Sequence, residues 1–219
     1  MDRAREVPRW EDQDFVGRVS ISAPYESGDR GPLVAVVDYG LKANIIRSLR
    51  RRGARARVLP HTATAADVLL PDVAGVVLSP GPGDPARLAG PTALAEAIIE
   101  DGRPLLGICL GHQIVARATG AETRRLPVRP PRRQPPHRGP GHGPGPVTTQ
   151  NHEVYGGRRV GARGDGFHVS QRNLNDGSVE AAPRHAAHRD RPVPPGGLAR
   201  AARRGRGLDR FLERVRAVA

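Results

Sequence analysis

The sequence predicts an α/β fold, in which an open and mostly parallel β-sheet carries helices on both faces. Short apolar runs alternate with segments of helical spacing along residues 33–126. Each apolar run is almost unbroken, which is typical of parallel strands covered on both sides, because a strand with one wet face would alternate apolar and polar residues. The chain of 219 residues is long enough to form one such domain.

Three elements begin this region. The run LVAVVDYG at 33–40 is a buried strand that ends in a turn. The segment KANIIRSLRRRG at 42–53 has helical spacing in its three large aliphatic side chains, and its closing glycine is a typical helix stop. The segment ARVLP at 56–60 is predicted to be the next strand.

The same alternation continues as far as Cys109. The segment AADVLLPDVAGVVLSPGPGDP predicts a short helix, the strand Gly75–Leu78 and a glycine-proline loop. The segment GPTALAEAIIEDG at 90–102 predicts a further helix. The strand Leu105–Ile108 follows, and we expect it at the centre of the sheet with Cys109 at the carboxyl edge.

Two later segments have a very different composition. Residues 127–147 contain almost only Pro, Arg, Gly, His and Gln, and residues 181–207 are similar. Neither segment can bury apolar surface, so both are predicted to be irregular and disordered. Strand-like alternation returns between them, in TTQNHEVYGG and GFHVSQRNLNDGSVE, and the closing segment LDRFLERVRAV predicts an amphipathic helix.

The formal net charge of +13 suggests a polyanionic partner, but the composition argues against one. Lys42 is the only lysine among 35 basic residues, and aromatic residues make up 3% of the chain, which leaves few platforms for stacked bases. We therefore expect no nucleic-acid partner. A single cysteine, Cys109, cannot form an internal disulfide, and no apolar run reaches the ~18 residues of a membrane span. We expect a cytoplasmic protein without membrane contact.

Cys109 lies where a predicted strand turns into a helical run, within the pattern Gly107-x-Cys109-x-Gly111. This pattern is the cysteine form of the nucleophile elbow, a strained turn in which flanking side chains would collide with neighbouring backbone. We expect the helix N-terminus to lower the pKa of the thiol and the Leu110 N–H to face a developing oxyanion. A free cysteine is otherwise a small buried hydrophobic residue, but the two glycines favour a nucleophile.

The loop SPGPGDP at 79–85 is a second candidate part of the site. Gly81 and Gly83 let the backbone approach a ligand closely, and three prolines stiffen the loop. Because the loop follows a strand of the same sheet, it should open on the same edge as Cys109. Alone such a sequence is an ordinary turn, but beside the elbow it predicts a second oxyanion donor and a substrate clamp.

These motifs resemble those of a known family. LSPGPGDP with GICLGHQ is similar to the class I, triad-type glutamine amidotransferases, and VDYGLKANIIRSL with RNLNDGSVE narrows the resemblance to the glutaminase domain of carbamoyl-phosphate synthase small chains. In that family a further domain precedes the glutaminase domain. The resemblance therefore implies that residues 1–32 are a remnant of the interdomain linker and residues 33–219 are the amidotransferase domain.

The resemblance implies a role for each matching residue. Cys109 resembles the nucleophile that attacks the glutamine side-chain amide, and Gly81 and Leu110 resemble the residues whose N–H groups hold the oxyanion. The positions that hold L-glutamine match Gly83, Gln113 and Asn151. No metal or other cofactor is implied for this chain. The partner is a large chain, which uses ATP and Mg²⁺ to join the released ammonia to bicarbonate for arginine and pyrimidine synthesis.

The catalytic His-Pro-Glu of the family is missing. It should follow HRDRPV at 188–193 by a few residues, but this chain has PPGGLARAARRGRG there. Three other histidines stay open as substitute bases, namely His152, His185 and His188, whereas His112 is interpreted as structural. Frames of GC-rich DNA shifted by one or two bases yield Arg, Pro, Gly and Ala in excess, so we interpret residues 127–147 and 191–207 as the product of a reading-frame fault.

The sequence therefore predicts the glutaminase component of a carbamoyl-phosphate synthase, impaired by the loss of its general base. Two alternatives stay open. One is a non-catalytic pseudo-glutaminase that docks on a synthetase chain without hydrolysing glutamine. The other, less favoured, is an arginine-rich protein that binds nucleic acid, for which retention on DNA should be sensitive to salt.

Overall fold

The computed structural model describes residues 13–121, 123–125, 137–138, 154–156, 171–173, 179–181 and 206–219. Within these residues the chain forms two five-stranded sheets and six α-helices. The first sheet is built almost entirely from the region in which the sequence predicts alternating strands and helices. It carries Cys109 and is the larger of the two in strand length.

The first sheet has the strand order β1-β3-β2-β4-β5. Strands β2, β3, β4 and β5 pair in parallel, and β1 pairs antiparallel with β3 at one edge. The predicted open and mostly parallel sheet is therefore confirmed. The strands are β1 Tyr25–Ser27, β2 Leu33–Asp38, β3 Arg55–Pro60, β4 Val73–Leu78 and β5 Leu105–Gly107.

Helices cover both faces of this sheet, as predicted. Helices α1, α3, α4 and α5 contribute to the core on one face, and α2 and α6 to the core on the other. In the described ranges, no helix is long and apolar enough to cross a membrane. The helices are α1 Phe15–Val19, α2 Ala43–Arg51, α3 Ala65–Val68, α4 Ala89–Asp101, α5 Leu110–Ala118 and α6 Arg206–Val218, and a 3₁₀ helix spans Pro85–Arg87.

Strand β2 shows why the apolar runs are unbroken. All six of its residues are buried, and successive side chains enter opposite cores. Leu33, Ala35 and Val37 pack under α4 and α5, whereas Val34 and Val36 pack under α2 and α6. Full burial of a valine or leucine side chain contributes about 1.5–3 kcal/mol, so polar residues on either face would be costly here.

Strand β5 does not lie at the centre of the sheet, and that expectation was wrong. Among the described strands, β5 pairs only with β4, and β2 occupies the middle. The apolar run around Leu106 is explained by helices instead, because α5 and α6 both contact this edge strand. A strand covered by helices on both faces has an unbroken apolar run whether it lies at the edge or at the centre of the sheet, so the run does not reveal its position.

Part of the segment interpreted as a linker packs onto the domain. Val16 of α1 is fully buried, and β1 extends the sheet through pairs such as Tyr25 with Val58. The side chain of Tyr25 is exposed, and this short edge strand has no apolar run from which the sequence could predict it. Residues 1–12 lie outside the described residues.

The second sheet is antiparallel throughout and has the order β6-β8-β10-β9-β7. Its strands β8, β9 and β10 fall in the region where the sequence predicts strands. Strand β7 lies within 127–147, so the prediction that this segment is irregular is wrong for these two residues. Hydrogen bonds between strands use backbone groups, so two residues can pair in a sheet without any apolar side chain. The rest of 127–147 lies outside the described residues. The strands are β6 Thr123–Arg125, β7 His137–Arg138, β8 Val154–Gly156, β9 Gln171–Asn173 and β10 Val179–Ala181.

Candidate active site

Cys109 occupies the sharp turn between β5 and α5. Its backbone has φ 52° and ψ −108°, and among the described residues it is the one non-glycine residue with a positive φ. Such a conformation is strained for an L-residue and persists only where the surrounding structure imposes it. Strain at a strand-to-helix turn is the geometry of a nucleophile elbow, and Cys109 has the predicted place between a strand and a helix.

The two glycines of the elbow have no room for a side chain. A Cβ on Gly107 would lie 2.7 Å from the backbone carbonyl of Gly111 and from the Cα of His112. A Cβ on Gly111 would lie 2.2 Å from the carbonyl oxygen of Leu78. The start of α5 is therefore pressed against the ends of β4 and β5, which is how the Gly-x-Cys-x-Gly spacing produces the turn.

Backbone hydrogen bonds attach the elbow to the neighbouring strand. The N–H of Ile108 donates to the carbonyl of Leu78 at 3.0 Å, and the N–H of Gly111 donates to the carbonyls of Ile108 at 3.0 Å and Ser79 at 3.2 Å. Helix α5 then begins with the bond from the Gln113 N–H to the Cys109 carbonyl at 3.1 Å. The elbow and the loop after β4 are thus held as one unit.

The structure places Gly81 next to the side chain of Leu110. A Cβ on Gly81 would lie 2.9 Å from Leu110 Cδ2 and 2.0 Å from the carbonyl oxygen of Tyr39, so only glycine fits there. Gly83 follows with φ +105°, a conformation that favours glycine. The loop after β4 therefore does open beside the elbow, on the carboxyl edge of the parallel strands.

Burial raises the pKa of the Cys109 thiol above its ordinary value, so the lowering expected from the helix N-terminus does not set the net direction. The Leu110 N–H donates to the thiol and lowers its pKa, as expected at a helix N-terminus, and the positive charge of Lys42 acts in the same direction. Both effects are smaller than the cost of removing the thiolate from water, even though the residue is only partly buried.

Lys42 is a residue near the site that the sequence analysis did not single out. It is the N-cap residue of α2, directly after the turn that ends β2. That turn is fastened by the buried carboxylate of Asp38, which accepts the N–H groups of Gly40 at 2.8 Å and Leu41 at 2.6 Å. Lys42 is the only lysine of a strongly arginine-rich chain, and this was the one sequence signal that could have drawn attention to it.

The remaining predicted site residues divide into two groups. Gln113 lies one turn into α5 and its side chain is buried, on the same helix that begins at the elbow. Asn151 and the three histidines considered as substitute bases lie outside the described residues. The described part of the site thus holds a thiol, two candidate oxyanion residues and a nearby positive charge.

This sequence matches the family described as glutamine amidotransferase class-I over residues 35–189. The match spans the elbow, the loop after β4 and all five strands of the second sheet. It agrees with the resemblance inferred from the two motifs.

The curated relatives include carbamoyl phosphate synthase small chains. The small chain of Methanopyrus kandleri is 34% identical over 193 residues, which are 88% of this chain and 52% of that protein. The small chain of Bacillus caldolyticus is 39% identical over 179 residues, which are 81% of this chain and 47% of that protein. The chain therefore spans about half the length of the curated relatives that it matches.

Solved structures with the same fold were also found. A protein from Thermoplasma acidophilum, described as part of a GMP synthase, superposes with a TM-score of 0.62 and 20% identity over 84% of this chain and 94% of its own. A glutamine amido transferase from Methylobacillus flagellatus gives a TM-score of 0.50 and 15% identity, covering 84% of this chain and 76% of its own. At these identities the likeness shows the fold alone.

Proposed function

The chain belongs to the class I glutamine amidotransferase family, and from that premise we propose that it is the glutaminase part of a glutamine-hydrolysing carbamoyl-phosphate synthase. The observation that carries the proposal is the strained backbone of Cys109 at the strand-to-helix turn, with Gly81 next to the side chain of Leu110. The similarity to small chains from several organisms supports the choice of synthase among the activities of the family.

The proposed chemistry begins with attack of the Cys109 sulfur on the side-chain carbonyl carbon of L-glutamine. The N–H groups of Gly81 and Leu110 donate to the oxygen that becomes negatively charged in this step. Collapse of the intermediate breaks the carbon–nitrogen bond and releases ammonia after a proton transfer to nitrogen. Water then hydrolyses the thioester to glutamate and restores the thiol, so two easier steps replace one difficult amide cleavage. Gly83, Gln113 and Asn151 are proposed to hold the substrate.

The activity of this chain should be weak. No His-Pro-Glu occurs in the sequence, so the thiol lacks the base that relatives supply from that motif. Burial raises the pKa of the Cys109 thiol, which reduces the reactive thiolate at neutral pH. Loss of general acid–base assistance costs about 10²–10⁴ in rate. These two observations favour a second candidate function, a non-catalytic pseudo-glutaminase that binds a synthetase chain.

The proposed partner is a carbamoyl-phosphate synthase large chain in the cytoplasm, which would consume the ammonia with bicarbonate and ATP. The large chain, and not this one, would hold ATP and Mg²⁺. The name of the curated relatives supports this partner, since a small chain implies a larger one. The reaction itself then needs no cofactor in the chain described here.

A glutaminase assay of the full chain, with and without a large chain from a relative, tests the proposal. Release of glutamate that disappears in the Cys109→Ala variant supports a glutaminase, and so does covalent labelling of Cys109 by a glutamine-analogue chloroketone. A chain that binds the large chain but neither releases glutamate nor takes the label supports the pseudo-glutaminase. Absence of both binding and labelling would contradict the proposal.

A further inference from the structure

Ser79 links the end of β4 to the turn after β2 through its side chain. Its residue surface is fully buried, and its hydroxyl accepts the N–H of Tyr39 at 2.8 Å. The same hydroxyl donates to the carbonyl oxygen of Pro80 at 2.9 Å. This hydroxyl uses its one donor and one of its acceptor positions, and its removal would leave the buried Tyr39 N–H without this partner.

The backbone of Ser79 makes two further connections. Its N–H donates to the carbonyl of Val37 at 3.1 Å, and its carbonyl accepts the N–H of Gly111 at 3.2 Å. Ser79 therefore touches β2, the turn after β2, the loop after β4 and the first turn of α5. These are the segments that meet around Cys109.

The hydrogen bond to Pro80 has a specific geometric consequence. The Pro80 carbonyl and the Gly81 N–H belong to the same peptide unit, which is planar, and no cis peptide bond occurs in the described chain. In a trans peptide the N–H points opposite to the carbonyl. Since the Ser79 hydroxyl holds the Pro80 oxygen towards the buried side, the Gly81 N–H points away from it.

We propose that Ser79 is a positioning residue for the oxyanion hole: its hydroxyl fixes the Pro80–Gly81 peptide so that the Gly81 N–H donates to the oxyanion. This inference rests on the proposed function and adds a residue that does not itself touch the substrate. The orientation of one peptide plane decides whether the site has two oxyanion donors or one. An oxyanion donor is typically worth about 10²–10³ in rate.

The test compares two reactions of Cys109 in the full chain. Acylation by the γ-4-nitrophenyl ester of glutamate releases 4-nitrophenolate, a good leaving group that departs without help from a general acid. The reaction passes through an oxyanion and therefore depends on the oxyanion hole. Alkylation by iodoacetamide displaces iodide at a saturated carbon and forms no such oxyanion. Ser79→Ala should slow acylation at least about tenfold and leave the alkylation rate unchanged.

Two further comparisons keep the test decisive if Ser79→Ala folds poorly. Ser79→Thr and Ser79→Val have the same shape and differ only in the hydroxyl, so the threonine variant should acylate at least about tenfold faster than the valine variant. Ser48→Ala is the control, because the Ser48 hydroxyl accepts a solvent-exposed hydrogen bond from Arg51 within α2. It should change neither reaction.

Each outcome decides between distinct conclusions. Equal acylation of Ser79→Ala and the unchanged chain, or of the threonine and valine variants, overturns the positioning role. Parallel loss of acylation and alkylation also overturns it, because that result means displacement of the whole elbow. If the unchanged chain is alkylated but not acylated, the proposed function itself fails and this inference fails with it.

Discussion

The close approach of α5 to β4 leads to a quantitative prediction about Gly111. In Gly111→Ala the new Cβ would lie 2.2 Å from the carbonyl oxygen of Leu78 and 2.8 Å from its Cβ, whereas real Cβ contacts essentially never fall below 3.0 Å. The oxygen belongs to the backbone of a buried strand and cannot rotate away. The helix must shift instead, and the strained Cys109 stands directly before it.

Gly90→Ala is a matched control for this substitution. Both glycines lie in helices, but a Cβ on Gly90 would meet nothing within 4 Å. Each replacement gains about 1 kcal/mol of helix propensity, so this gain cancels when the two variants are compared. Overpacking of a core costs about 1–3 kcal/mol. Gly111→Ala should therefore be less stable than Gly90→Ala by about 1–3 kcal/mol.

Urea denaturation followed by circular dichroism measures the free energy of unfolding of each variant. The dependence of that free energy on urea concentration shows whether the two variants expose the same surface when they unfold. The rate of Cys109 alkylation should also change in Gly111→Ala and stay constant in Gly90→Ala. If both variants have the same stability and the same alkylation rate, the close packing of the elbow on β4 is refuted.

Three further predictions follow from the described contacts. The rate of Cys109 alkylation should rise with pH through a midpoint above the ordinary thiol pKa, since burial raises the pKa of this thiol. Lys42→Met should move the midpoint higher, because it removes a positive charge that lowers the pKa, and a downward shift would contradict this. Phe211 belongs to α6 and is buried in the core, so Phe211→Ala should lower the free energy of unfolding by about 3–5 kcal/mol in urea titrations. Val218→Ala, at an exposed site of the same helix, should change it by less than about 0.5 kcal/mol. Glutamine turnover should be at least about a hundredfold below that of a relative that carries His-Pro-Glu, and an in-frame His-Pro-Glu segment inserted after Val193 should restore much of it. Ordinary turnover by the unchanged chain would show that another residue is the base.

Local patterns were sufficient for the parallel strands of the first sheet, for the helices between them and for the elbow. The unbroken apolar runs predict parallel strands because each strand side chain enters one of two cores, as β2 shows. The Gly-x-Cys-x-Gly pattern predicts the turn because its steric requirement lies within five consecutive residues and the strand beside them. The apolar runs and the glycine spacing are each formed by residues close together in the chain, so a single sequence is enough to recognise both.

Features that depend on which distant segments meet could not be obtained in this way. Three features depend on residues far apart in the chain. They are the edge position of β5, the pairing of β1 with β3 and the hydrogen bond between Ser79 and Tyr39. The pKa of Cys109 is the clearest case. The helix N-terminus that lowers it is local and was foreseen, but the burial that outweighs it is a sum over atoms from several elements. A sequence shows that a residue prefers to be buried, and only the packed structure shows what surrounds it.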